Sequence, residues 1–119
     1  PYTHLSTLVA ALDAALDLVL AEGVDAVFER HRRAARRCRE RGAEIGLEPY
    51  APALAAPTVT AFEVTDAERL QRTLHEDHDV TLATGLGPHA DDVLRVGHMG
   101  YNADVERVDR AMDALAAAL

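Results

Sequence analysis

The sequence predicts an α+β domain, sandwich-like: a small, mostly antiparallel sheet covered mainly on one side by helices, in the order α-α-β-β-α-β-β-α. Three observations predict it. Two long segments near the start repeat apolar residues at helical spacing. Short β-branched runs between turn residues follow, and a last amphipathic segment closes the chain. With 119 residues there is room for a single domain.

From Leu5 to Leu20, the apolar residues Leu5, Leu8, Val9, Leu12, Leu16, Val19 and Leu20 fall on one helical face, with Gly23 as the stop. A second helix is expected over about 25–45, with the stripe Val27, Phe28, His31, Ala35 and Cys38 and with Gly46 beyond its end. The very short turn between the two predicts a helical hairpin. Pro49, Pro52 and Pro57 exclude helix, and residues 51–56 read as a loop. Residues 58–64 (TVTAFEV) form the best strand in the chain. Thr65 and Glu68 fit a capping box for a short helix containing Leu70 and Leu74 and ending near His78. Residues 80–82 and 93–96 are short strands separated by a Gly85-Leu86-Gly87-Pro88 turn. Asn102 or Asp104 caps a last helix with the stripe Val105, Val108, Met112, Leu115 and Leu119.

Composition narrows the function. The formal net charge is −8, so the chain is a poor general polyanion binder. No apolar run approaches the ~20 residues of a membrane span. The one cysteine, Cys38, excludes an internal disulfide. There are 23 alanines and no Trp, so the core is built from small aliphatic side chains and is expected to need a partner surface, for which the first helix is apolar enough. No signal peptide is recognisable, which makes the cytoplasm the default location, and the opening Pro1 places the expected true beginning upstream. All twelve basic residues are arginine; there is no lysine.

Arg95 is the most informative residue. It interrupts Val-Leu-Arg-Val-Gly in mid-strand, where a guanidinium makes sense if its planar fork grips a carboxylate or phosphate; the bland alternative is a wet sheet face. Gly85 and Gly87 let backbone approach a ligand closely or simply make a tight turn, and they lack dinucleotide or P-loop spacing. His75-Glu76-Asp77-His78 lacks the zincin spacing and a third ligand, and reads as a solvated helix end. Seven arginines lie between Val24 and Gly46 with no interleaved aromatic for stacking; with Glu29–Arg33 and Arg36–Glu40 at i,i+4 they read as a solvated outer face, and Cys38 on the opposite stripe as inert core.

Ala-Pro-Thr-Val-Thr (56–60), Gly-Leu-Gly-Pro (85–88) and Leu-Arg-Val-Gly-His-Met-Gly-Tyr-Asn-Ala (94–103) together form a pattern. On it, the chain resembles the C-terminal part of class V pyridoxal-phosphate aminotransferases, in the alanine–glyoxylate and serine–glyoxylate group, along essentially its whole length. The resemblance implies that residues 1–119 are the small C-terminal domain of a longer fold-type I enzyme, with 1–23 as an interdomain or dimer-contacting helix. It implies that Arg95 binds the substrate α-carboxylate, that Thr3 reaches the cofactor phosphate of the neighbouring subunit, and that Gly85, Leu86 and Gly87 edge the substrate pocket. Asp91-Asp92 depart from the Gly-Lys common in relatives, and Tyr2, His4 and Leu5 from the usual surroundings of the threonine.

The expected function is transfer of an amino group from alanine or serine to glyoxylate or a similar 2-oxo acid. Pyridoxal 5'-phosphate would be bound mainly by a large domain outside this chain, in a homodimer without nucleic-acid or membrane partners. The chemistry agrees: this cofactor attaches through a lysine amine, which this chain lacks, so the 119 residues alone are expected to be inactive. The rival expectation is a non-catalytic dimerisation or carboxylate-binding module.

Overall fold

The computed structural model describes residues 5–119. Its elements are α1 (Ser6–Glu22), α2 (Val24–Glu44), β1 (Val59–Glu63), α3 (Ala67–His78), β2 (Ala83–Thr84), β3 (Val93–Gly97) and α4 (Val105–Ala118). The observed order is thus α-α-β-α-β-β-α, one strand fewer than expected before α3. Upstream of β1 there is only an isolated bridge from Pro49 to Phe62. Proline has no N–H to donate, so that ladder stays short.

The strands lie in the order β1-β3-β2, with both pairs antiparallel. Alternation along β3 sends Leu94 and Val96 into the core while Val93 and Arg95 point to the opposite face. On the core side, Phe62, Leu94 and Val96 pack with Leu70 and Leu74 of α3, Met112 and Leu115 of α4, and Ala34 and Cys38 of α2. The helices therefore cover one side of the sheet, as expected. Small residues on α2 allow this close approach: a Cβ on Gly42 would collide with the buried Phe62 ring.

Several expectations need correction. The helical hairpin is not packed: α1 buries none of its residues, and Leu5, Leu8, Val9, Leu12 and Leu16 are 49–66% exposed. A single residue, Gly23 at φ 91°, links α1 to α2, shorter than the two to five residues an αα-hairpin uses to reverse the chain. The burial of α2 sits further along than its predicted stripe, on Ala34, Ala35, Cys38 and Gly42, and Phe28 is exposed. The cap of α3 is Asp66, not Thr65; its carboxylate accepts from the Arg69 N–H at 3.1 Å. The strand expected at 80–82 forms instead at Ala83–Thr84, opposite Arg95 and Leu94. Within the 51–56 loop, Pro52–Leu54 makes one 3-10 turn. The cap of α4 is Asp104, and Val108, Met112 and Leu115 are buried as predicted, whereas Val105 and Leu119 are exposed.

Candidate functional site

Arg95 lies in the middle strand, with Ala61 of β1 and Ala83 of β2 as its cross-strand neighbours. Both are methyl-sized, so they leave room above the sheet for the long side chain. The guanidinium is half-buried, and its Nε donates to the Thr84 carbonyl at 2.8 Å. Among the described residues no carboxylate pairs with it, and its two Nη atoms carry no hydrogen bond. One edge of the fork is thus fixed to backbone, and the outer edge is free to receive two oxygens. Arg95 lines none of the main clefts; its setting is the open, shallow face of the sheet.

Gly85, Leu86 and Gly87 connect β2 to β3 beside it. The Gly85 N–H donates to the Val93 carbonyl at 2.7 Å, and a Cβ at Gly85 would collide with the His89 carbonyl. Gly87 adopts φ 57°, opening the 3-10 turn Gly87–His89. Here the glycines serve a tight turn, and the exposed Leu86 stands at its tip. Thr3 lies outside the described residues.

Two other sequence candidates have structural partners. His75 and His78 close α3, which Asp79 caps in the left-handed region, and His75 Nδ1 is 3.3 Å from the Thr81 hydroxyl. Part of the α2 arginine set is less solvated than expected. Glu29 pairs with Arg32 and Arg36 rather than Arg33. Arg37 binds Asp109 at 2.6 Å, and Arg41 binds Asp109 and Asp113 at 3.4 and 2.6 Å, tying α2 to α4. These two arginines are engaged within the domain, whereas Arg32, Arg33 and Arg36 stay exposed. Burial pushes the Cys38 thiol up to about 11, against a smaller opposite pull from the Thr60 hydroxyl, as suits inert core.

Sequence reasoning missed the roles of the residues around Gly100. Arg30 pairs with Glu22 through two hydrogen bonds of 2.6 and 2.8 Å and donates to the Gly100 carbonyl at 2.6 Å. His31 Nε2 accepts from the Gly100 N–H at 3.0 Å, which puts its proton on Nδ1, 2.7 Å from the Val27 carbonyl. Both backbone groups of Gly100, at φ 57°, are therefore held by α2. His98 is fully buried, 2.8 Å from the Thr60 hydroxyl through Nε2, and burial holds its pKa below the usual histidine range. Much of the Arg-Val-Gly-His-Met-Gly-Tyr-Asn stretch thus fixes the connection that follows β3. Its signal in the sequence was the motif itself; the partners lie about 70 positions away.

Along its whole length the chain is similar to class V pyridoxal-phosphate aminotransferases. No family model matches it. It is 36% identical to the alanine–glyoxylate aminotransferase of Oryctolagus cuniculus, over 99% of this chain and 32% of that protein. Two solved structures superpose closely. Alanine–glyoxylate aminotransferase of Nostoc sp. gives a TM-score of 0.90 at 32% identity, over 98% of this chain and 32% of the other. Pyridoxamine–pyruvate aminotransferase of Mesorhizobium loti gives 0.94 at 32% identity, over 99% and 31%. The chain spans about a third of the length of the relatives it matches. No helix among the described residues is long and apolar enough to cross a membrane.

The residues present fit a carboxylate better than they fit the attachment of the cofactor that such aminotransferases use. Arg95 offers a free fork for a carboxylate, whereas the attachment of pyridoxal phosphate needs a lysine, which the chain does not contain.

Proposed function

We propose that this chain is the small C-terminal domain of a pyridoxal-phosphate aminotransferase, and that its part in the reaction is to hold the substrate carboxylate. The observation that carries the reading is the half-buried Arg95, anchored through Nε and unpaired at both Nη atoms on the uncovered face of the sheet. Two parallel N–H···O bonds to one carboxylate orient the bound acid, so that its Cα–H has one direction relative to the rest of the site. The Thr84 carbonyl positions that fork, and the turn through Gly85, Leu86 and Gly87 edges the pocket beside it.

Pyridoxal phosphate, when bound, supplies the electron sink that amino-group transfer requires. It would be held mainly by residues outside this chain, with Thr3 reaching the phosphate of the neighbouring subunit in a homodimer. The unburied apolar side of α1 supports such a subunit or domain contact. The substrates are alanine or serine as donor and glyoxylate or a similar 2-oxo acid as acceptor, in the cytoplasm; the names of the relatives support glyoxylate and alanine.

The test is steady-state kinetics on the intact protein. Arg95→Ala should raise the KM for the amino donor by about ten- to a hundredfold, the loss of a charge-assisted pair, and Arg95→Lys should recover only part of it. An unchanged donor KM in Arg95→Ala removes Arg95 from this role.

A further inference from the structure

We propose that the cleft between the segment leading into β2, the end of β3 and the first turns of α4 binds a small organic anion. It has a volume of about 200 Å3 and a floor that includes Leu82 and Val96, both nearly fully buried, while Thr81, Asn102, Arg107 and Arg110 supply its polar wall. It opens on the side of the sheet away from Arg95, because Val96 and Arg95 point to opposite faces.

Three observations favour an anion. Arg107 and Arg110 are three positions apart on α4 and line the same cleft, so two positively charged residues border one small volume. Among the described residues neither has a carboxylate within ion-pair distance, although the chain is strongly acidic. Two acids lie beside the same arginines without pairing with them. Asp104 caps α4 by accepting the Arg107 backbone N–H at 2.9 Å, and Glu106 lies with it on the adjoining shallow hollow that the same arginines border. Arg107 is also held in place: its guanidinium stacks 3.9 Å over the Tyr101 ring and donates to the Tyr101 hydroxyl. An arginine ordered before the ligand arrives loses less side-chain freedom on binding.

The apolar floor and the size select the ligand. A bare inorganic anion gains nothing from Leu82 and Val96, and the volume is too small for a nucleotide. A short carboxylic or phosphorylated acid fits, with its acid group between the two guanidiniums and its carbon body on the floor.

Calorimetric titration of the intact, cofactor-loaded protein tests the site, with pyruvate and glycerol 3-phosphate as separate probes of the two acid groups. Arg95→Gln serves as background, so that binding at the proposed substrate site does not contribute. Saturable binding of either probe is expected in that background, and adding Arg110→Gln should weaken it about tenfold or more. Arg110 makes no hydrogen bond to a described residue, so its replacement leaves the fold intact; Arg107→Lys, which keeps the charge and loses the planar fork, is the second variant and should also weaken binding. The site is overturned if neither probe saturates below roughly 10 mM, or if the affinity is the same with Arg110→Gln and Arg107→Lys.

Discussion

Two buried side chains show how single residues in this domain respond to solution conditions. His98 is enclosed with Thr60, and its Nδ1 has no partner among the described residues, so protonation inside the fold is costly. Its pKa is lowered by burial, while in the unfolded chain the imidazole titrates near about 6.5. Below that value the unfolded state binds a proton the folded state resists, so stability is complete above it and declines as the pH falls. The melting temperature of the intact protein should therefore drop between about pH 7 and pH 5. His98→Asn should flatten that dependence, and parallel profiles would assign the acid sensitivity elsewhere. Cys38 sits 4.0 Å from the Met112 sulfur with its thiol pushed up to about 11. A thiol reagent at pH 8 should leave it unmodified until the protein is denatured.

Among the elements, the β2–β3 connection has the clearest link between geometry and use. Gly85→Ala would drive a methyl into the His89 carbonyl and displace the turn that carries the Thr84 carbonyl, the anchor of Arg95. The expected result is a raised donor KM in the intact protein with Arg95 itself unchanged; wild-type kinetics would disconnect the turn from the arginine. Gly42→Ala tests the opposite side of the sheet. Helix propensity favours alanine by about 1 kcal/mol, but the added carbon meets the enclosed Phe62 ring, where overpacking costs about 1–3 kcal/mol. Denaturant unfolding should show a net loss. How far the sequence could be read follows the same division. Periodicity exposed all four helices, and one charge within an aliphatic run exposed Arg95, because both signals are local. The shift of a strand to Ala83–Thr84 was hidden, since its pairing with β3 decides it and residues 80–82 look equally extended. The clamp of Arg30 and His31 on Gly100 was hidden for a plainer reason: tertiary hydrogen bonds leave no periodic mark.

For the molecule as a whole, the dominant fact is a helix of seventeen residues with nothing buried. Its apolar side chains remain in water unless another surface covers them, whether from the rest of a longer chain or from a second subunit. Backbone amides over Ser6–Glu22 should exchange slowly in the intact protein; exchange at the rate of an exposed helix would mean that the surface stays bare. The junction adds a mechanical consequence. At 1.5 Å per residue α1 extends about 25 Å from Gly23; the Arg30–Glu22 pair braces its near end, and Ala15, Leu18 and Val19 face Tyr101 and Arg107 across a groove. A rotation of about 10° at that one glycine carries the far tip roughly 4 Å sideways. On so long a lever, a small change of angle where the helix leaves the body becomes a large change in where its apolar side meets a neighbour.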